Sequence, residues 1–284
     1  SALPHSTLGA TSPWPGRVAA LDWAQATDDL HTQGHTVLPQ LLSAEECTAL
    51  AGLYCRPGPP LFRSRVVMQR HGFGQGEYRY FSYPLPGVVA GLREALYPHL
   101  ASIANQWNTA MGIDVRYPTR HADFIARCHA AGQVRPTPLL LQYGAGDYNC
   151  LHQDLYGEHV FPLQVAVLLS EPGRDFTGGE FVLTEQRPRM QSRAEVVPLQ
   201  RGAPLGNLRR RDAEGQGDIA VVAAELYRAG LHLLGIDLGI LQFLLEPGIG
   251  RCHQRHPAGG EHAQAIGIAA VALDLGEAGS GQQI

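Results

Sequence analysis

Two short motifs have residue types and spacing suited to metal chemistry. In "YNCLHQDLYGEHVFPLQVAVLLSE", Tyr148 to Glu171, one residue separates His152 from Asp154. On an extended strand, residues i and i+2 project to the same face, so this imidazole and carboxylate can share one ion. A second imidazole would complete the two-histidine, one-carboxylate face of a non-haem iron(II) site, which leaves three positions open. Those positions suit a bidentate 2-oxo acid and O2. Oxidative decarboxylation of the acid then drives removal of a hydrogen from a substrate. The plainer alternative is a turn aspartate beside a half-buried histidine. The second motif, His121-Ala122-Asp123, lies in "TRHADFIARCHAAG", whose apolar pattern is helical. On a helix the two side chains diverge by about 200°, and we read them as a surface pair.

The positioning elements follow from pattern. At 284 residues the chain is long enough for one large domain or two small ones with a substantial core. Its 44% apolar and 17% charged residues mark a globular protein rather than a disordered one. A net charge of −4 excludes a molecule drawn to nucleic acid by bulk charge. All 22 basic residues are arginine, which fits coding in a GC-rich genome. Cys47, Cys55, Cys128, Cys150 and Cys252 are scattered and form no CxxC pair. That argues against a disulfide framework or structural zinc and fits a cytoplasmic location. "SALPHSTLGATSPWPG" lacks the charged and apolar regions of a signal peptide. Leu231 to Leu245 is interrupted by His232, Gly235, Asp237, Gly239 and Gln242, so no membrane span is expected.

Residues 1–17 read as a flexible tail, and residues 18–30 as a helix closed by Gly34. "HTVLPQLL" is a short strand. Ser43 and Glu46 have capping-box spacing ahead of a helix that ends near Tyr54. Val89, Leu92, Leu96, Leu100, Ile103 and Trp107 recur at three and four, which predicts a helix over 86–111; another is expected over 120–131. "LLLQYG", "VFPLQVAVLLS" and "GGEFVLTE" are strands with turns between them, the pattern of a sandwich or barrel. The expected organisation is helical support and a substrate-side segment over 18–135, a β core over 136–202, and a divergent segment over 203–284.

The motifs now carry a resemblance. "LQYGAGDYNCLHQD" is similar to AlkB-type nucleic-acid demethylases, where a Tyr and a Gly precede H-Q-D. It is also similar to prolyl-hydroxylase-like enzymes, which share the Tyr, Gly, Tyr and H-x-D order and a later Gly-Gly strand like "GGEFVL". "HTVLPQLLSAEEC", "FRSRVVMQRHGFGQGEYRYF" and "LHQDLYGEHVFPLQVAVLLSEPGRDFTGGEFVLTEQRPRMQSRAEVVPL" resemble one bacterial family of Fe(II)/2-oxoglutarate-dependent oxygenases, described by analogy as acting on damaged DNA. The likeness spans about residues 18–202. It implies an α+β fold: a double-stranded β-helix, or jelly roll, with supporting N-terminal helices. It also implies His152 and Asp154 as iron ligands, Tyr143 as hydroxyl donor to a 2-oxoglutarate carboxylate, and Fe(2+), 2-oxoglutarate and O2 as the reacting set. His159 would face away on a regular strand and reads as outer support or surface.

The same pattern requires a distal histidine and, about ten residues later, an arginine for the far carboxylate. His232, His253, His256 and His262 are the histidines of the tail, and none has an arginine at ten. "GDIAVV", Gly217 to Val222, resembles the strand that precedes the distal ligand, which favours His232, with Arg251 or Arg255 for the carboxylate. The competing expectation is an altered reading frame from Gly202, after which the aromatics thin to Tyr227 and Phe243. That would leave a sheet edge uncovered, iron weakly held by two ligands, and little turnover.

On the substrate side, Arg63, Arg65, Arg70, His71 and Arg79 alternate with Phe62, Phe73, Tyr78, Tyr80, Phe81 and Tyr83. Arginine for phosphate and aromatics for stacking is how damaged or single-stranded nucleic acid is held. A packed loop with a solvated arginine face is the plainer reading. Gly72 to Gly76 hints at a phosphate loop, but no Lys or Ser/Thr completes one. Arg187, Arg189 and Arg193 form a second basic cluster. Two alternatives stay open: a protein or peptide side-chain hydroxylase, and a non-catalytic β-sandwich binding protein. A Cys150 nucleophile beside His152 is remote, because nothing supplies an oxyanion hole.

Overall fold

The structure, a computed structural model, describes residues 13–56, 60–150, 159–186, 193–207, 218–220, 242–244 and 268–279. Five helices precede most of the strands: α1 (Trp14–Ala19), α2 (Trp23–Gln33), α3 (Ala44–Ala51), α4 (Gly87–Ala110) and α5 (His121–Ala130). The strands of the N-terminal half are β1 (His35–Val37), β2 (Phe62–Val67), β3 (Gly74–Gln75), β4 (Glu77–Phe81), β5 (Gln133–Pro136) and β6 (Leu139–Tyr143). Then come β7 (Tyr148–Asn149), β8 (Gln164–Leu168), β9 (Glu180–Gln186), β10 (Arg193–Val197), β11 (Pro204–Asn207) and β12 (Asp218–Ala220). β13 (Gln242–Leu244), β14 (Ile268–Asp274) and β15 (Glu277–Gly279) complete the set.

A seven-stranded antiparallel sheet runs in the order β1-β11-β8-β14-β6-β4-β2. A smaller sheet runs β10-β9-β12, and β13 also pairs with β9. The register divides the large sheet into two faces. Tyr80↔Leu139↔Ala272↔Ala166 and Tyr78↔Leu141↔Ala270↔Leu168 lie in line across it. Tyr78, Tyr80, Tyr143, Leu168 and Leu205 from this face cluster with Phe181, Leu183 and Val197 of the smaller sheet. This is the apolar interior of a jelly roll, as expected. The opposite face, with Leu140, Val165, Val167 and Leu273, packs under the helices. All six apolar positions that predicted α4 are buried.

Local chemistry sets the helix boundaries. Ser43 Oγ accepts the Glu46 N–H at 3.2 Å and a Glu46 carboxylate oxygen accepts the Ser43 N–H at 2.8 Å, so the capping box opens α3 as read. The first helices differ from expectation. Residues 14–17 are helical, and Trp14 is buried against Gly91 of α4. The single helix expected over 18–30 is divided, because Asp22 accepts the Gln25 N–H and starts α2 afresh.

The largest difference concerns the C-terminal segment. β14 lies in the middle of the large sheet, between β8 and β6. Residues 204–207 pair with β8 and β1. Both described strands between them, β12 and β13, lie along one edge of β9. The edge expected to lie open is therefore paired. Among the described residues, no helix is long and apolar enough to cross a membrane.

Candidate functional site

Tyr143 ends β6 and is 1% exposed. Its position on the inner face follows from the pleat: Leu139 and Leu141 share its side of the strand, while Leu140 faces the helices. The tyrosine ring is seated by Gly76. A Cβ there would meet Tyr143 Cδ1 at 2.8 Å and the Gln142 carbonyl oxygen at 3.2 Å. Around Tyr143 the interior is Val66, Met68, Leu168, Phe181, Leu183 and Leu205, with the hydroxyl-bearing Tyr78 and Tyr80 further along.

From Tyr143 the chain turns through Gly144–Asp147. The Asp147 carboxylate accepts the Gly144 N–H at 2.7 Å and holds the turn. β7 follows and pairs antiparallel with β3, Gly74 opposite Asn149 and Gln75 opposite Tyr148. The Cys150 N–H then donates to the Phe73 carbonyl at 2.7 Å. The next residues include His152 and Asp154, which lie outside the described residues, as do His232, Arg251, Arg255, Arg187 and Arg189. Among the described residues, no cluster of three His, Cys, Asp or Glu could hold a metal. His159 is partly exposed, and its backbone is bound on both sides by Gln133, at 2.7 and 3.1 Å.

The arginine-aromatic segment is largely a packed layer. Arg63 donates from Nε to the Pro136 carbonyl at 3.0 Å and lies 4.2 Å over the Tyr80 ring. Burial pushes its guanidinium below the usual arginine range. Arg79 donates to the Tyr54 carbonyl at 3.0 Å and covers the Tyr54 ring at 4.4 Å. Arg65 pairs with Glu77, which also accepts the Tyr54 hydroxyl at 2.6 Å. Burial alone would raise the Glu77 carboxyl, but hydrogen bonds from Arg65 and Tyr54 outweigh it and hold it below the usual range. Arg70 and His71 are different. Both are exposed at the end of a short 3-10 turn, Met68–His71, and His71 stacks on Phe73 at 5.3 Å.

His121 and Asp123 do diverge, as expected of a helix, but they are not a surface pair. Asp123 is exposed near Arg120. His121 is turned inward, with Nε2 3.1 Å from the Leu275 carbonyl and its ring 5.0 Å from that of Tyr97. Burial, aided by Arg93, pushes its pKa down to about 4.

A second polar cluster, absent from the sequence reading, binds the C-terminal segment to the helices. Arg93 of α4 is 2% exposed and donates to the Gly276 carbonyl at 2.8 Å, with the Glu277 carboxylate at 3.5 Å. Tyr83 donates to the same carboxylate, and His129 Nε2 lies 3.9 Å from its other oxygen. Thr137 donates to the Gly276 carbonyl at 2.7 Å, and Gln133 to the Glu277 carbonyl at 2.6 Å. Burial raises the Glu277 carboxyl above the usual range against the pull of Arg93. These groups face the helices, not Tyr143, and read as structural. The groove of about 330 Å³ along the outer side of α4, lined by Ala101, Ser102 and Asn105, holds no titratable group.

Comparison with known proteins adds three findings. Residues 76–222 match a family described as an oxygenase catalysing oxidative methylation of damaged DNA. The match passes through β11 and β12, beyond the Gly202 limit drawn from sequence. Proteins of two Mycobacterium tuberculosis strains, CDC 1551 / Oshkosh and ATCC 25618 / H37Rv, are 53% identical over 180 residues, or 63% of this chain and 71% of theirs. Their names state no activity. Among solved structures, a Pseudomonas putida prolyl-4-hydroxylase is similar at 12% identity and a TM-score of 0.44, over 88% of this chain and 96% of that one. A Burkholderia pseudomallei oxidoreductase of the 2OG-Fe(II) oxygenase family is similar at 13% identity and a TM-score of 0.37, over 92% and 94%. These two likenesses are too distant to carry weight. The family match and the mycobacterial sequences do.

Proposed function

We propose, for a chain that belongs to this oxygenase family, iron(II)- and 2-oxoglutarate-dependent oxidation of a substrate held between the two sheets. His152 and Asp154 are the iron pair in this reading, and Tyr143 the hydroxyl that fixes a 2-oxoglutarate carboxylate. The observation that carries it is Tyr143. This tyrosine lies buried on the inner face, and the chain leads from it through one hydrogen-bonded strand to the His-x-Asp pair. The residues present fit the group. Imidazole and carboxylate suit iron(II), and a buried phenol is a donor of the kind a carboxylate needs inside an apolar interior.

When bound, iron and 2-oxoglutarate would let O2 oxidise the substrate, with 2-oxoglutarate itself oxidised to succinate and carbon dioxide. The protein holds and orients. Tyr143 binds the co-substrate, and the wall formed by Val66, Met68, Leu168, Phe181, Leu183 and Leu205 keeps water from it. A third ligand comes from the tail. Residues 268–274 lie within the large sheet, which supports a tail that returns to the core and supplies that ligand. His232, between β12 and β13, is our choice for that ligand, and Arg251 or Arg255, between β13 and β14, for the far carboxylate.

The proposed substrate is damaged or single-stranded nucleic acid. The family description supports it, as does the position of Arg70 and His71, exposed beside the loop that holds Cys150. Succinate release under air with iron and 2-oxoglutarate tests the reading, with methylated single-stranded oligonucleotide or a peptide mixture added. Oligonucleotide-stimulated succinate is the expected result. Stimulation by peptide alone moves the assignment to a side-chain hydroxylase. No oxygen-dependent succinate in any mixture overturns it.

A further inference from the structure

The glycine-punctuated run Phe73-Gly74-Gln75-Gly76 touches both halves of the proposed site. Two residues apart, Gly74 and Gly76 take φ of 120° and 115°, values that L side chains rarely adopt. Gly74 lies so close to β7 that a Cβ would run into the Tyr148 carbonyl oxygen and meet Asn149 Cα and Cys150 N at 3.0 Å. Gly76 admits the Tyr143 ring in the same way. The run is itself anchored, because the Phe73 N–H donates to the Met68 carbonyl at 3.1 Å and the Met68 N–H to the Gly76 carbonyl at 3.0 Å. The Phe73 carbonyl then accepts the Cys150 N–H at 2.7 Å.

We infer that residues 73–76 are a positioning clamp with separable halves: Gly74 and Phe73 fix the backbone two residues ahead of His152, and Gly76 fixes the Tyr143 ring. This rests on the reading of His152 and Asp154 as the iron pair. Glycine in a strand marks a close backbone approach; here one approach goes to Tyr143 and the other to β7, the strand ahead of His152. Anchoring the chain at Cys150 lowers the cost of ordering a ligand pair that follows it when metal binds.

The halves give distinct readouts. Gly74→Ala is expected to weaken cobalt(II), used as the probe in place of iron, at least tenfold, and to speed hydrogen exchange at the Cys150 amide. Gly76→Ala is expected to weaken 2-oxoglutarate about tenfold while cobalt affinity stays within twofold. A wild-type measurement guards against a variant that fails to fold. By reciprocity of coupled equilibria, cobalt must slow exchange at the Cys150 amide while leaving unchanged the Ile113 amide, which lies just beyond α4 and donates to the Asn108 carbonyl. Equal loss of both ligands in both variants, or Cys150 exchange indifferent to cobalt in a wild type that binds it, overturns the clamp. If the wild type binds no cobalt, the iron-pair reading fails and the metal half of the clamp with it. Tyr143 packing in Gly76→Ala, followed by its ring resonances, still decides the other half.

Discussion

The helix side of the large sheet, with the small β5–β15 sheet beside it, and the inner face carry polar groups in opposite ways. On the helix face, Arg93 and Glu277 are buried together, and Gln133, Thr137, Tyr83 and His121 bond into the same C-terminal segment. Their hydrogen bonds end on backbone carbonyls or on one carboxylate, so the cluster is spent on holding β14 and β15 in place. On the inner face, Tyr78, Tyr80 and Tyr143 stand among aliphatic and aromatic neighbours, and the backbone has been brought close by Gly74 and Gly76. One face uses polarity to close the fold; the other holds hydroxyls in an apolar interior where an anionic co-substrate would bind. Substitutions on the first face should therefore cost stability and spare ligand affinity, and those on the second should do the reverse.

The sharpest break of that contrast is Arg93→Met. It leaves the Glu277 carboxylate without its guanidinium and the Gly276 carbonyl with Thr137 as donor, and removing one partner of a buried pair costs about 3–5 kcal/mol, the Tyr83 hydrogen bond holding the loss toward the lower figure. Urea unfolding should show the loss, while whatever protein remains folded keeps its 2-oxoglutarate affinity. An acid titration comes next. His121 has a folded pKa of about 4, below its unfolded 6.5, so its contribution is present above pH 6.5 and is lost as pH falls toward 4. The loss is of order 3 kcal/mol. Glu277 has the opposite sign. Its folded pKa is raised, so its contribution is full below 4.5 and is lost as pH rises through the folded value. Unfolding free energies between pH 4 and 7 should fall more steeply toward acid in Glu277→Gln than in the wild type, and less steeply in His121→Gln.

On the inner face, Tyr143→Phe should leave the urea midpoint in place and weaken 2-oxoglutarate about tenfold, the worth of one hydrogen bond to a charged group. Calorimetry on the two proteins reads it; equal affinity would remove Tyr143 from the site. The smallest expected change is Ser43→Ala, on the helix side. It deletes the side-chain half of a capping box and should cost about 1 kcal/mol of stability with no effect on either ligand.

The sequence made much of this legible where a local rule governs. Ser43 and Glu46 specified a cap, the three-and-four spacing of Val89 to Trp107 specified α4, and the short apolar run "LLLQYG" specified a strand. It misled where a tertiary partner decides. His121 reads as exposed on a polar helix face until Leu275, 154 residues later, arrives to accept its hydrogen bond. The Gly72–Gly76 run has the composition of a phosphate loop, yet Gly74 answers to Tyr148 and Gly76 to Tyr143. The tail was hardest. "IAAVALD" is small and aliphatic, which carries little signal alone, but those are the side chains that a central strand covered on both faces accepts.

The most direct measurement is a ferrous iron titration under nitrogen of the wild type, His152→Ala and Asp154→Ala. The account predicts one equivalent bound by the wild type and none by either variant, with all three unfolding at the same urea concentration. Iron that binds equally well after both substitutions, or a wild type that takes up none, would contradict it.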